Sequence, residues 1–165
     1  MATAPDHFAQ AGELTVRPMR DADVAVVIGI ERAAYQFPWT EGIFRDCLRV
    51  AYLCRVAVQD QRIVGYAVMS LGAGEAHILN LCVHEDYRRA GVGRMLIRYL
   101  LAQAAAAGML EAFLEVRPTN DIALRLYQSL GFQHIGTRRG YYQAVGGRED
   151  AAVLRLRLRQ NESGP

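Results

Sequence analysis

The sequence predicts a single-domain α/β fold, a mixed sheet with helices packed on it, and three observations predict it. Strand-like and helix-like apolar patterns alternate from residue 13 to residue 159, with no internal repeat, linker or low-complexity tract between them. The strand-like run His77-Ile78-Leu79-Asn80-Leu81-Cys82-Val83 is joined through a glycine turn to the helical run Met95-Leu96-Ile97-Arg98-Tyr99-Leu100-Leu101. Near the end, Leu154, Leu156 and Leu158 alternate with Arg155, Arg157 and Arg159, so the last strand buries one face and wets the other. At 165 residues the chain suits one domain with one sizeable core. Residues 1–12 and 160–165 are expected to be flexible tails on a domain covering 13–159.

The elements follow in order. Residues 14–18 read as a short strand ended by Pro18. Asp21 is placed to cap a helix running to about Tyr35, with Val24, Val27, Ile28 and Ile30 as its apolar face. Pro38 and Trp39 break that helix, and a shorter one starts near Thr40. Residues 52–58 and 63–71 flank Gln59-Asp60-Gln61-Arg62 as a hairpin. Gly72-Ala73-Gly74 turns the chain into the strand 77–83, and the central helix stops at Gly108, a C-terminal cap glycine. A strand at 111–116 precedes a helix that begins at Thr119 or Asn120 and ends before Gly131. A strand from about Phe132 and a last one at 153–159 close the domain.

Composition excludes several classes of function. A hydrophobic content of 52% and a charged content of 22% are those of an ordinary globular protein. A net charge of +2 with no long basic run argues against direct nucleic-acid binding. Cys47, Cys54 and Cys82 form no Cys-x-x-Cys pair and are odd in number, and His7, His77, His84 and His134 lack ligand spacing. Neither a disulfide framework nor a metal site is expected. No apolar run approaches transmembrane length and the first twelve residues lack an apolar signal core, so a cytoplasmic location is expected.

The joint between strand and central helix, Arg88-Arg89-Ala90-Gly91-Val92-Gly93-Arg94, is the most informative stretch. The first N–H groups of a helix have no internal partner and the helix dipole favours negative charge there. Glycine lets the main chain approach a phosphate closely and adopt φ values that other residues avoid. The stretch therefore reads as a pyrophosphate cradle, with a plain helix-capping turn as the alternative. It is not a nucleotide P-loop, because no Gly-Lys-Ser/Thr follows and all nineteen basic residues are arginine. It is not a dinucleotide fingerprint either, since it lies mid-chain and lacks the third glycine or alanine. A ligand with a pyrophosphate but no chemistry at phosphorus, such as coenzyme A, remains.

Three ordered motifs sharpen this reading: Arg88 to Gly93; Leu114-Glu115-Val116-Arg117-Pro118-Thr119-Asn120; and Leu126-Tyr127-Gln128-Ser129-Leu130-Gly131-Phe132. Together they resemble the GCN5-related N-acetyltransferase superfamily over roughly residues 14–158. Phe37-Pro38-Trp39-Thr40, Arg138-Arg139-Gly140-Tyr141-Tyr142 and Gly147-Arg148-Glu149-Asp150-Ala151 resemble its bacterial ribosomal-protein-alanine subgroup, with Gln143 where that pattern has proline. The resemblance implies a mostly antiparallel central sheet with about four helices and with splayed strands that hold acetyl-CoA. By position it implies that the main chain of Leu81, Cys82 and Val83 pairs with the pantetheine arm as an added strand. Arg89, Ala90, Gly91, Val92, Gly93 and Arg94 would hold the pyrophosphate, and Asn120 would add a contact. Read by residue type alone, Leu81 to Val83 are strand core and Asn120 is a helix cap.

For chemistry, the resemblance implies Glu115 as general base and Tyr127 as the acid that meets the departing thiolate. Glu115 is out of phase with Ala112, Leu114 and Val116, so it faces away from them; a structural pair with Arg117 is the alternative. Tyr127 flanks a stripe of Ile122, Leu126 and Leu130, and packing is its alternative. A covalent role for Cys82 is disfavoured by its place inside an apolar strand. An N-terminal amine, with a pKa near 7.7–8.0, is about a tenth neutral at pH 7, whereas lysine at about 10.4 is almost wholly charged, so a terminal amine asks little of a base. Phe37, Trp39, Tyr141 and Tyr142 are candidates to line an acceptor groove, and Arg138, Arg139 and Arg148 to meet acceptor carboxylates. The subgroup implies the N-terminal alanine of a small-subunit ribosomal protein as acceptor, and possible breadth toward other protein N-termini. A lysine or small-molecule amine acetyltransferase and a non-catalytic acyl-CoA sensor stay open at this stage.

Overall fold

The structure, a computed structural model, describes residues 12–159. Most of the two expected tails lies outside the described residues. Gly12 is described: it donates its N–H to Asp60 Oδ1 at 2.9 Å, and its carbonyl accepts from Gln59 Nε2 at 2.8 Å.

Seven strands and four α-helices are found among the described residues. In chain order they are β1 (Thr15–Pro18), α1 (Val24–Ala34), α2 (Glu41–Arg49), β2 (Leu53–Gln59), β3 (Arg62–Gly72), β4 (Glu75–Val83), α3 (Val92–Ala106), β5 (Glu111–Val116), α4 (Asp121–Ser129), β6 (Gln133–Ala144) and β7 (Gly147–Arg157). The sheet order is β1-β2-β3-β4-β5-β7-β6. Every neighbouring pair is antiparallel except β4 and β5. The expected mixed, mostly antiparallel sheet with four helices is therefore present.

Local chemistry sets the element ends. Thr40 caps α2 by accepting from the Ile43 N–H, and Pro38 and Trp39 lie between the first two helices as expected. Asp60 and Gln61 form the two-residue hairpin turn, both at positive φ (50° and 64°), a geometry that matches the twist of the strands. Gly108, at φ +81°, follows the end of α3. Three expectations are corrected. Asp21 does not cap α1: a one-turn 3-10 helix at Asp21–Asp23 comes first, and it is the Asp23 carboxylate that accepts from the Arg20 N–H and the Arg17 guanidinium. The last strand begins at Gly147 rather than near 153, because it forms a long hairpin with β6 that is interrupted by a register shift between Arg138 and Tyr142. Ile122 is 78% exposed and so leaves the expected stripe; the face of α4 against the core is the buried Tyr127 with Ala123, Leu124 and Leu130 partly buried beside it.

The sheet separates two apolar layers. On one face Leu96, Ile97 and Leu100 of α3, wholly buried, pack on Ala67, Met69, Leu114 and Val116, with Tyr127 of α4 in the same cluster. Burying side chains of this size is worth roughly 1.5–3 kcal/mol each, which pins the helix to the sheet. On the other face Val24, Val27 and Ile28 of α1 and Phe44 and Cys47 of α2 pack on Val56, Tyr66, Val68 and Cys82.

One irregularity positions the site. In the pairing of β3 with β4, Val68 faces Asn80 and Met69 faces Ile78, so Leu79 is an extra residue. Such a bulge bends its strand and increases the local twist. The parallel pairing of β4 with β5 ends at that point, the last partners being Ile78 and Leu114. Beyond it the two strands part, and the main chain of residues 79–83 opens a wedge toward β5.

Candidate active site

The wide end of the wedge meets the head of α3. Gly91 caps that helix in the left-handed region at φ +81°, and no side chain caps it. Its first N–H groups point outward without an internal partner, as an anion requires. Arg89 is also left-handed, at φ 64°, a conformation that costs a non-glycine residue energy and recurs at ligand sites. Alternation of left- and right-handed residues turns successive N–H groups into a concave nest. Gly93 departs from expectation, because it is not left-handed. A Cβ there would stand 3.5 Å from Leu126 Cδ2 and 3.6 Å from Val83 Cγ2, ordinary contacts, so the conformational argument for glycine holds at Gly91 alone. Arg94 is anchored, donating from Nη2 to Ser129 Oγ at 2.9 Å, and Arg88 Nε donates to the Val83 carbonyl at 3.4 Å. Ala90 is exposed on the loop, whereas Val92 is buried and fixes the first turn of the helix.

Gly65 of β3 went unnoticed in the sequence. A Cβ there would lie 3.0 Å from the Cys82 carbonyl oxygen, 3.2 Å from Leu96 Cδ1 and 3.2 Å from Val92 Cγ1. The absence of a side chain lets the head of α3 sit directly on the sheet. A single glycine between apolar strand residues hints at such an approach without saying to what.

Leu81, Cys82 and Val83 form the end of β4 alongside the wedge. Tyr35, just past α1, donates its hydroxyl to the Leu81 carbonyl at 3.1 Å. Cys82 is 5% exposed, and burial pushes its thiol up, which agrees with an inert rather than a reactive cysteine. Asn120 caps α4, accepting from the Ala123 N–H at 3.2 Å; its side chain does the work the residue-type reading assigned.

Glu115 lies one residue past the last β4–β5 pair, on the sheet face opposite α3, since Leu114 and Val116 both enter the α3 layer. The expected alternative, a pair with Arg117, is not formed. His77 Nε2 of β4 stands 2.5 Å from Glu115 Oε2, and Arg138 Nε of β6 stands 3.1 Å from Oε1. The Glu115 side chain is 6% exposed. Burial pushes its carboxyl up, but the His77 hydrogen bond, with the charges of His77 and Arg138, outweighs that and holds it below the usual glutamate range. Arg117 instead joins the far side of the site: Nη1 meets Glu149 Oε2 at 2.8 Å, Nη2 donates to the Gln143 carbonyl, and the guanidinium lies 4.4 Å from the Tyr142 ring centre.

Tyr127 is 8% exposed and packs edge-on against Phe132 at 5.8 Å, and burial pushes its hydroxyl up to about 12. It lies within electrostatic reach of Tyr35 and Tyr142, and Tyr142 also feels Glu115. Glu115, Tyr142, Tyr127, Tyr35 and the end of β4 thus share one neighbourhood around the wedge. Of the other aromatics, Trp39 packs edge-on against Phe44 at 5.2 Å, whereas Phe37 and Tyr141 are exposed. Arg139 is exposed, and Arg148 is turned onto the carbonyls of Gly140 and Tyr141.

Two groups escaped the sequence reading. His77 is one of four histidines without ligand spacing in the sequence, and nothing short of the strand order sets β4 beside β5. Glu31, 2% exposed, had a visible signal: it continues the apolar positions 24, 27 and 28 of α1 at helical spacing. Its carboxylate accepts from the Trp39 N–H, the Asn80 amide and the Tyr66 hydroxyl. No group of His, Cys, Asp and Glu suited to a metal occurs among the described residues.

The model of the acetyltransferase (GNAT) family matches residues 24–132, which run from α1 through α4 and the wedge. The chain belongs to that family. It is 34% identical over 142 residues, 86% of its length and 96% of the relative's, to the [ribosomal protein bS18]-alanine N-acetyltransferase of Escherichia coli strain K12. The crystal structure of the ribosomal-protein-S18-alanine N-acetyltransferase from Escherichia coli superposes with a TM-score of 0.84 at 32% identity, covering 93% of this chain and 99% of that one. Ard1 from Thermoplasma volcanium superposes with a TM-score of 0.82 at 28% identity, covering 89% and 99%. As a GNAT protein the chain is an acetyl-CoA-dependent N-acetyltransferase. No helix among the described residues is long and apolar enough to cross a membrane.

Proposed function

We propose that this enzyme transfers the acetyl group of acetyl-CoA directly to the N-terminal α-amine of a protein, its main acceptor being the N-terminal alanine of the ribosomal protein bS18. The observation that carries the reading is the wedge between β4 and β5, with the α3 head at its mouth and Glu115 on the face opposite α3. The bS18-directed enzymes that the chain resembles over most of its length support the acceptor. Residues 13–159 act as one catalytic unit, and the reaction takes place in the cytoplasm, where ribosomal proteins are made.

In this reading Arg89, Ala90, Gly91, Val92, Gly93 and Arg94 hold the donor's pyrophosphate through main-chain N–H groups and arginine charge. Leu81 to Val83 pair with its amide-bearing arm, and Asn120 lies beside it at the head of α4. The acceptor amine approaches from the Glu115 side. Glu115 takes a proton as nitrogen attacks the thioester carbonyl, the carbon–sulfur bond breaks, and the thiolate leaves. Tyr127 keeps its proton at neutral pH because its hydroxyl is pushed up to about 12. A thiol near 8.5 would have to draw that proton uphill by several kcal/mol. Tyr127 therefore steadies the departing sulfur chiefly as a hydrogen-bond donor, and the proton it shares with the sulfur is made good from solvent, to which Glu115 returns the one it took.

Incubation of the purified chain with acetyl-CoA and an alanine-ended bS18 peptide, followed by mass spectrometry, tests the proposal. Acetylation at the α-amine, well ahead of internal-lysine peptides and polyamines, is the expected outcome. Preference for either of the latter would overturn it.

A further inference from the structure

We propose that His77 is a positioning residue for the Glu115 carboxylate, holding Oε2 from β4 while Arg138 holds Oε1 from β6, so that the base faces the acceptor in one fixed orientation. The inference rests on the reading of Glu115 as base. It stands on geometry: Glu115 lies where β4 and β5 have just parted, so no strand pairing fixes its backbone on the β4 side. The side-chain bridge from His77 Nε2 at 2.5 Å replaces that missing tie across the wedge. Both carboxylate oxygens are engaged by nitrogen, and the carboxylate side chain is 6% exposed while His77 is 32% exposed. The imidazole thus spans from the buried oxygen toward solvent.

The charged and titratable groups around the pair come from several strands. Arg138, Tyr141 and Tyr142 face it from β6. On β5 Glu111 lies toward the strand start, with Arg155 of β7 at 3.9 Å from it. Arg138 is divided between Glu115 and the Tyr141 ring, 5.7 Å from its centre, and its side chain is 57% exposed. His77 is the more buried of the two clamps.

The test is a double-mutant cycle on the full chain with acetyl-CoA and an alanine-ended peptide. His77→Ala is expected to lower kcat about ten- to a hundredfold while the KM for acetyl-CoA stays within about twofold, tighter effects being reserved for groups that touch substrate. His77→Gln, which retains an amide donor, is expected to recover most of that loss. In the Glu115→Ala background, His77→Ala should add nothing further. Carbon-13 NMR of the Glu115 carboxyl gives a readout that packing alone would not move: its midpoint should rise in His77→Ala, because burial is then opposed only by the Arg138 charge and a backbone hydrogen bond. Wild-type kcat and an unmoved midpoint in a folded His77→Ala variant would overturn the inference. So would losses that simply add in the cycle. A Glu115→Ala variant of near wild-type rate would instead sink the reading of Glu115 as base.

Discussion

Asn80 Nδ2 of β4 donates to Glu31 Oε2 of α1 at 3.1 Å, and the other oxygen of the same carboxylate accepts the Trp39 N–H, also at 3.1 Å. One buried carboxylate thereby ties the connection between α1 and α2 to the strand that opens the wedge. Asn80 is available for this because the Leu79 bulge turns two consecutive residues of β4 toward α1.

Removing that carboxylate strands several donors at once. The Trp39 N–H, the Tyr66 hydroxyl and the Asn80 amide would each lose an acceptor away from water, and an unsatisfied buried group costs about 1–3 kcal/mol. Some donors will relax onto other partners. Glu31→Ala is therefore expected to lower unfolding free energy by about 2–4 kcal/mol, read from denaturant titration. The KM for the acceptor peptide should rise more than that for acetyl-CoA, because the loosened segment carries Tyr35, Phe37 and Trp39 rather than the α3 head. An unchanged denaturation midpoint would remove the anchoring role.

How much of this was legible beforehand follows from the physics of each signal. The helix and strand positions rest on local periodicity and on Gly and Pro punctuation, and Thr40, Gly108 and Gly131 end or begin helices where their chemistry says they should. The left-handed turn at Gly91 was legible because glycine before a helical run marks it locally, and the anion reading proposed for it rests on contiguous main chain. The clamp on Glu115 was not, since His77, Glu115 and Arg138 come from three strands whose order no local pattern encodes. Ile122 was misplaced for a related reason: α4 is so short that two candidate apolar stripes fit it, and only packing against Phe132 chooses Tyr127 and its neighbours. Glu31 was legible but passed over, a charged residue on the buried stripe of a helix.

Gly65 offers a test of the proposed donor site by a substitution outside the residues assigned to hold the donor, acting through Cys82 and Val92. Any side chain there meets the Cys82 carbonyl and the first turn of α3 at 3.0–3.2 Å. Gly65→Val should push the helix head outward, at a cost of about 1–3 kcal/mol in stability from overpacking. Acetyl-CoA affinity, measured by calorimetry, is expected to drop at least tenfold while the acceptor KM changes little. Unaltered affinity in the folded variant would show that the close seat of α3 is unnecessary.

The pH dependence separates the base from its substrate. Glu115 sits below the usual glutamate range, so it is ionised across the working range of pH. The rise of kcat/KM with pH should therefore follow the acceptor amine, climbing about tenfold per unit and levelling near 7.7–8.0 for an alanine-ended peptide. A lysine peptide would keep climbing toward about 10.4. The same depression gives a stability effect of definite sign. Its contribution is complete above the unfolded carboxylate value of about 4.3 and fades as pH falls through the lower folded value. Urea midpoints of wild type and Glu115→Gln should converge in acid and diverge toward neutrality.

Tyr127→Phe isolates the leaving-group side. The phenol is buried and makes its ring contact with Phe132 through atoms that phenylalanine keeps, so the melting temperature should hold within a few degrees. Loss of a donor to the departing sulfur is expected to reduce kcat about a hundredfold, with the KM for acetyl-CoA nearly unchanged. Because burial pushes the wild-type hydroxyl up to about 12, wild-type kcat should stay flat between about pH 8 and pH 10, where an ordinary tyrosine would already be losing its proton. A wild-type alkaline decline centred near 10 would show that burial does not raise the hydroxyl, whereas full turnover in Tyr127→Phe would show that the proton reaches the thiolate from elsewhere.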